Sequence, residues 1–244
     1  MKWKALLGIF KIKRIVRNWF GEKKLDYPDA DLVIGTQNIR EYTTRAYSCT
    51  KEPETCAWLS SLPKEGVFYD VGANVGAYTL IAAARGMEVI AVEPNPLNAG
   101  SLHENLVRNN LRGNCTIMSC VLGEKSGRLR VSIPDDTSGA TAGYAKEDGN
   151  VPFPMYSLDD LVGVHGLPAP TAMKIDVDGA EMLVLSGAKK VLANPLLKHL
   201  LVEVDPDQYK LAISFVEKYG LSVAEEHNRG KGVRNIIFTR HELS

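Results

Sequence analysis

From Val67 onward the chain alternates short apolar runs with amphipathic stretches, and this alternation restricts the fold more than any other feature. Val67 to Val71 is too short for a stable helix and rich in β-branched and aromatic side chains, so it reads as a strand. Ala77 to Arg85 reads as a helix, Glu88 to Val92 as a strand, Leu97 to Asn109 as a helix and Thr116 to Leu122 as a third strand. Strands covered by crossover helices on both faces read as continuous apolar runs. The pattern therefore predicts an α/β fold with a doubly wound, mostly parallel sheet. Gly127 to Ile133 alternates and adds a strand. Pro134 to Pro154, rich in Gly, Thr, Ser, Asp and Pro, reads as a long loop of the kind that usually carries function. The pattern resumes with strand 172–176, helix 179–193, strand 199–204, helix 207–219 and strands 221–225 and 233–239.

The 244 residues suffice for one large domain, or for one domain with a small appendage. With 45% hydrophobic and 24% charged residues, the chain fits neither a disordered protein nor a multi-span membrane protein. The 29 basic and 29 acidic residues cancel, but residues 1–24 carry a net +7 and the remaining 220 a net −7. The main body thus lacks the basic excess that nucleic acid requires. At helical spacing Ile9, Ile12, Val16, Trp19 and Phe20 share one side of the N-terminal segment, opposite Lys4, Lys11, Arg14 and Arg17. Two readings stay open: a basic amphipathic helix lying on an anionic membrane, or a helix packed on the domain with a solvated basic face. Ala5 to Phe10, the longest apolar run near the start, is too short for a secretory signal or a membrane span. Glu54 to Leu62 reads as a short helix within an otherwise weakly patterned stretch.

Cys49, Cys56, Cys115 and Cys120 form no C-x-x-C pair and no zinc-ligand spacing with histidine. They read as reduced thiols of a cytoplasmic protein, with docking of the N-terminus placing it peripherally at the inner membrane face. Asn114-Cys115-Thr116 matches a glycosylation acceptor but opens a buried strand, so the match is coincidental.

Three segments carry chemistry. Asp70-Val71-Gly72-Ala73-Asn74-Val75-Gly76 joins the first strand to its helix. Its glycines permit sharp turning and close ligand approach, and Asn74 is the non-glycine type best suited to a left-handed conformation. The spacing is not the G-x-G-x-x-G of dinucleotide sites. It suits a sulfonium amino acid, whose carboxylate meets N–H groups at the helix start and whose ammonium pairs with Asp70. Glu93 ends the second strand, 17 residues beyond Gly76, where nucleotide-binding α/β folds place an acid on the ribose hydroxyls. Ser119 and Cys120, after the third strand, fall beside the adenine pocket by topology. Finally, Lys174-Ile175-Asp176-Val177-Asp178-Gly179-Ala180-Glu181 ends a strand at the switch point of the sheet. Turn and capping roles explain Asp178 and Glu181. They do not explain Lys174 between apolar residues, since a buried lysine needs a partner, which Asp176 or Glu203 supplies.

Taken together, DVGANVGAYTL, EPNP with its following N-L-V-R-N-N, SLDDL and KIDVDGAE-x-x-VLSGA resemble the FkbM family of methyltransferases over about residues 66–205. The resemblance implies a class I methyltransferase (Rossmann-like) seven-stranded sheet, S-adenosylmethionine as methyl donor, and O-methylation of a hydroxyl. The expected division of the chain is a basic amphipathic N-terminal helix (1–24), a cap or substrate segment (25–65) and a methyltransferase domain (66–244). Carried over by position, Gly72, Asn74, Gly76 and Glu93 match the cofactor motifs, and Lys174, Asp176 and Glu181 form the second motif. Asp178 stands where the family often has Glu. Many members modify sugars of glycolipids and polysaccharides, and the chain is similar to rhizobial enzymes that 2-O-methylate the fucose of nodulation factors. The expected acceptor is a small or lipid-linked sugar. Asp176 is the first candidate for general base, then Glu203, then His227 in a late polar loop. Asp176 with Glu203 or Asp205 is an alternative carboxylate pair for a divalent ion, which the spacing does not require and which is not assigned. The competing readings are an NAD-dependent oxidoreductase and a non-catalytic cofactor- or lipid-binding module.

Overall fold

The structure, a computed structural model, describes residues 21–131 and 151–240. Its centre is a seven-stranded sheet of β1 (Val67–Val71), β2 (Glu88–Val92), β3 (Cys115–Met118), β4 (Ala172–Ile175), β5 (His199–Val204), β6 (Ser222–Gly230) and β7 (Val233–Thr239), in the order β6-β7-β5-β4-β1-β2-β3. β3, β2, β1, β4 and β5 are parallel neighbours, and β7 and β6 run antiparallel at the far edge. The doubly wound, mostly parallel sheet is as the sequence pattern predicts, and its seven strands are as the resemblance implies. The strand order turns between β1 and β4, so the crevice at the carboxyl ends of these two strands is the natural ligand position.

Pleating decides what lies on each face. Tyr69, Val71, Met173, Ile175, Leu200 and Val202 face one core. This core is closed by helices Leu158–Gly163, Glu181–Ser186, Lys189–Ala193 and Tyr209–Glu217. Phe68, Val89, Ala172, Leu201 and Ile237 face the other, under helices Pro53–Ser61, Ala77–Ala84 and Pro96–Arg108. Toward the carboxyl ends the second face changes character. Asp70, Lys174, Glu203 and Asn235 occupy the positions that alternation assigns to that same face.

The 25–65 segment is not a detachable appendage. Leu25, Tyr27, Leu32, Ile34, Trp58 and Leu59 are buried in one core with Phe68 and Leu80. The helix expected from Glu54 to Leu62 is observed as Pro53–Ser61. Residues 1–20 of the expected N-terminal helix lie outside the described residues, but its final part is corrected: Glu22–Lys24 is a strand paired with Val33–Gly35.

Four further expectations are corrected. The strand expected from Thr116 to Leu122 breaks at Ser119–Cys120, where the Cys120 N–H turns to the Met118 carbonyl (3.0 Å). Beyond the break Val121–Leu122 joins a separate three-stranded sheet with Gly127–Val131 and Val151–Tyr156. The strand Val151–Tyr156 also takes over the end of the expected 134–154 loop, of which residues 134–150 lie outside the described residues. The helix expected at 179–193 is two helices, because Asp159 accepts the Lys190 and Val191 N–H groups and starts a second one. The hairpin strand expected at 221–225 extends to Gly230, which puts His227 in a strand rather than a loop.

Gly187, between the two helices, has no room for a side chain: a Cβ there would stand 2.0 Å from the Gly123 carbonyl oxygen. We expect Gly187→Ala to destabilise the fold by about 2 kcal/mol through overpacking of backbone against backbone. Urea unfolding measures this; an unchanged midpoint would contradict the contact.

Candidate active site

The crevice at the switch point holds a cavity of about 130 Å³. The loop Gly72–Tyr78 forms one wall, Lys174, Asp176, Asp178 and Glu203 the floor, and Arg45, Ser48, Lys51 and Glu52 of the 25–65 segment the opposite wall. Both cations and carboxylates therefore face one small space.

Lys174 organises the floor. It is 1% exposed, its Nζ donates to Asp176 Oδ2 at 2.6 Å and lies 4.9 Å from the centre of the Tyr78 ring. Burial opposes its charge, but Asp176, Glu52 and Asp70 outweigh burial and raise its pKa above the ordinary lysine value. The partner expected for a buried lysine is thus Asp176. Burial likewise pushes the Asp176 carboxyl up, yet the Lys174 ammonium and hydrogen bond, with Lys51 and Arg45, hold it below the usual range. Asp176 is an ionised carboxylate of weak basicity. Glu203 is the reverse: burial and the Asp176 charge push it up to about 8. Their surroundings make Glu203 the more basic of the two carboxylates.

Carboxylate oxygens of Glu52, Asp176 and Glu203 lie within 4.8 Å of one another. Asp205, offered by the sequence as an alternative, is not in this group. The chain itself supplies compensating charge. Arg229 reaches Glu52 at 2.9 Å, Glu54 at 3.2 Å and Glu203 at 3.7 Å, and Lys174 sits beneath. Glu52, Tyr78 and Arg229 were not legible as site residues, because three distant segments bring them together. A buried glutamate before Pro53 looks like any helix-start acid. His227 stays outside the cavity lining, with Nε2 2.9 Å from Glu225 Oε2.

The loop obeys its sequence with one change of reason. Asn74 is left-handed, at φ 51°. Gly72 and Gly76 have φ of 87° and 90°, but the space beside Gly72 is filled by protein: a Cβ would stand 1.8 Å from the Asp176 carbonyl oxygen. Gly72 lets the β1 and β4 loops touch, rather than only admitting a ligand. Glu93 is 4% exposed. Its Oε2 accepts the Asn74 N–H and its Oε1 the Asn95 N–H, both at 2.8 Å. Burial pushes it up to about 7, against these hydrogen bonds. It ties the loop to the end of β2, and its Oε1 also accepts from the Asn98 amide at 3.3 Å. Ser119 is exposed and Cys120 buried, both outside the cavity lining. Glu181 Oε1 accepts the Val177 and Gly179 N–H groups, fastening the turn in which Asp178 adopts φ 54°.

A sulfonium amino acid fits these residues. Asp70 lies beneath the loop, fully buried and outside the cavity lining, with Oδ2 accepting from the Thr79 hydroxyl (2.6 Å), Oδ1 without a partner and burial pushing its carboxyl up. The start of helix Ala77–Ala84 and the nearby Arg45 and Lys51 suit a carboxylate.

Comparison with known proteins gives the family. Residues 70–227 match the family model of the methyltransferase FkbM domain. The chain belongs to the FkbM methyltransferase family. Its similarity to hexuronic acid methyltransferase AglP of Haloferax volcanii is 28% identity over 151 residues, covering 61% of each protein. With the 31-O-demethyl-FK506 methyltransferase FkbM of Streptomyces tacrolimicus it is 25% over 197 residues, 66% of this chain and 75% of that one. The crystal structure of methyltransferase FkbM from Methylobacillus flagellatus superposes with a TM-score of 0.54 at 21% identity, covering 73% of this chain and 45% of that one. The METTL16 MTase domain superposes at 0.53 with 12% identity, covering 89% and 75%. The fold is that of class I methyltransferases. The FkbM-family segment shared with AglP and with the Methylobacillus structure spans 61% and 45% of their lengths.

Removing one member of the buried pair should leave the other uncompensated. We expect Lys174→Met to lose about 3 kcal/mol in urea unfolding. The double variant with Asp176→Asn should recover much of that loss; strict additivity in the double-mutant cycle would show that the two residues do not interact.

Proposed function

We propose that the protein is an S-adenosylmethionine-dependent O-methyltransferase acting on a sugar hydroxyl of a glycolipid or oligosaccharide. The observation that carries this reading is the juxtaposition of the Gly72–Gly76 part of the loop with the Lys174, Asp176 and Glu203 floor in one cavity. The sugar-type acceptor is supported by the activity named for AglP and by the resemblance to nodulation-factor fucose 2-O-methyltransferases. Fucosylated oligosaccharides therefore head the acceptor panel.

The Gly72–Gly76 backbone, Asp70 and Glu93 would hold the donor, with Ser119 and Cys120 nearest its adenine. When bound, S-adenosylmethionine would supply an electrophilic methyl group on a sulfonium, whose sulfur is left as a neutral thioether after transfer. The chain's task is to hold an acceptor oxygen in line with that methyl, since alignment at about 3–3.5 Å accounts for much of the rate gain. Asp176, ionised and fixed by Lys174, orients the acceptor by accepting from a neighbouring hydroxyl of the sugar. Glu203, the stronger base, takes the proton as the oxygen forms its new bond to carbon. Arg229 and Lys174 keep the resulting charge balance within the cavity. The N-terminal basic segment brings the enzyme to an anionic membrane surface where a lipid-linked acceptor resides.

Calorimetry should show heat with S-adenosylmethionine and S-adenosylhomocysteine and none with NAD. No heat with the first two would end the methyltransferase reading, and binding without turnover across a glycan panel would favour a non-catalytic module. A base works only when ionised, so kcat/KM should rise with pH through an inflection near 8, the value to which Glu203 is pushed. Glu203→Gln should lower kcat by about 10² or more and remove that inflection. Asp176→Asn should keep donor binding while losing turnover. A Glu203→Gln enzyme with the unchanged profile would remove Glu203 as base.

A further inference from the structure

The wall that the 25–65 segment contributes to the cavity continues outward into an exposed patch. Ile39 and Tyr42 lie three residues apart on the helix Ile39–Thr43, one face of a turn, and are 62% and 41% exposed. Tyr47, 42% exposed, joins them through Lys23, whose Nζ stands 3.9 Å from the centre of the Tyr42 ring and 3.8 Å from that of Tyr47. The acid of this helix, Glu41, is turned inward and buried, whereas Arg40 is exposed. The outward face is therefore apolar, aromatic and cationic.

Two placements give the patch a meaning. The first is where the N-terminal segment joins. Residues 1–20 carry six basic side chains and no acidic one. They enter the described structure at Gly21, whose carbonyl accepts the Thr36 N–H at 2.9 Å, three residues before Ile39. The second is the cavity: Arg45 and Ser48 line it, and Tyr47 lies between them in the chain. The attachment point of the basic segment, the exposed aromatic patch and the Arg45 and Ser48 part of the cavity wall all belong to residues 21–48.

We propose that Ile39, Tyr42 and Tyr47, with Lys23 between the rings, form a docking face for an anionic lipid surface, directed so that the cavity opens toward the bilayer. Tyrosine rings suit the membrane interface because one end is apolar and the other wet. Cations beside them gain from anionic headgroups. Stable peripheral binding needs more than one weak signal, and the patch supplies the second beside the basic segment. An acceptor whose sugar is held at the membrane by a lipid would then enter the cavity without leaving the bilayer. The face rests on the reading of residues 1–20 as a membrane-surface element and extends it from a tether to an oriented platform.

The test is co-sedimentation of the full chain with phosphatidylglycerol–phosphatidylethanolamine vesicles, with phosphatidylcholine vesicles as the uncharged control. The unchanged chain should bind the anionic vesicles, more weakly at high salt. Ile39→Glu with Tyr47→Glu should lower the partition coefficient about tenfold, and Ile39→Trp should restore or exceed it. Val164→Glu, at a 73% exposed site on another element, should leave binding unchanged. Equal binding by the Ile39→Glu, Tyr47→Glu chain would overturn the face. If replacing Lys11, Lys13, Arg14 and Arg17 with Gln abolished binding while the patch variant bound normally, the tether would stand and the platform would fall. A dimer dispersed by the patch substitutions, without vesicle binding, would make the patch a self-interface and also overturn the proposal. Heat of S-adenosylmethionine binding should be the same in all these variants. Its absence from the unchanged chain would be a failure of the methyltransferase reading, separate from the docking face.

Discussion

A fully buried ammonium sits at the centre of the crevice, and the surrounding groups are arranged to keep it charged. Lys174 could not remain buried as a cation without Asp176 at 2.6 Å and the further carboxylates of Asp70, Glu52 and Glu203 around it. That one requirement links four parts of the chain. It fixes the end of β4, draws the β1 loop across it, brings Glu52 down from the 25–65 segment and places Glu203 on β5. Arg229 then returns from the β6–β7 hairpin to balance the acids that Lys174 leaves in excess. The antiparallel edge of the sheet is thereby tied to the wall of the cavity.

The same field separates two carboxylates that look alike in sequence. Asp176 touches the lysine and is held ionised. Glu203 lies next to Asp176, feels a like charge and loses solvent, and so is pushed up to about 8. Two acids with divergent affinities for a proton, side by side in a cavity, make a division of labour between orienting an acceptor and taking a proton from it. Glu93 shows another outcome of burial. Its carboxylate is consumed largely in fastening the Asn74 and Asn95 N–H groups, so the β1 loop and the end of β2 move as one unit.

Much of the fold was legible because each strand is buried on both faces and each crossover is amphipathic, a local pattern that survives reading one residue at a time. The errors fall where a partner distant in sequence decides. Whether Thr116 to Leu122 is one strand depends on Val151–Tyr156, which captures its second half. Whether residues 179–193 are one helix depends on Asp159 and on the close approach of Gly123 to Gly187. His227 passed for a loop residue because the reach of the hairpin is set by its pairing with β7.

The sequence alone determined the sheet class, the left-handed turn at Asn74 and the need of Lys174 for a buried acid, because each follows from steric limits or desolvation at a single position. Only the tertiary structure decided which acid is the weak base and which the strong one, since that depends on distances between Lys174, Asp176, Glu203 and Glu52. It also decided that Gly72 serves backbone contact with Asp176, and that Glu52, Tyr78 and Arg229 belong to the site at all. The physical reason is the same in each case: packing and electrostatic interactions act through space and take no account of separation along the chain.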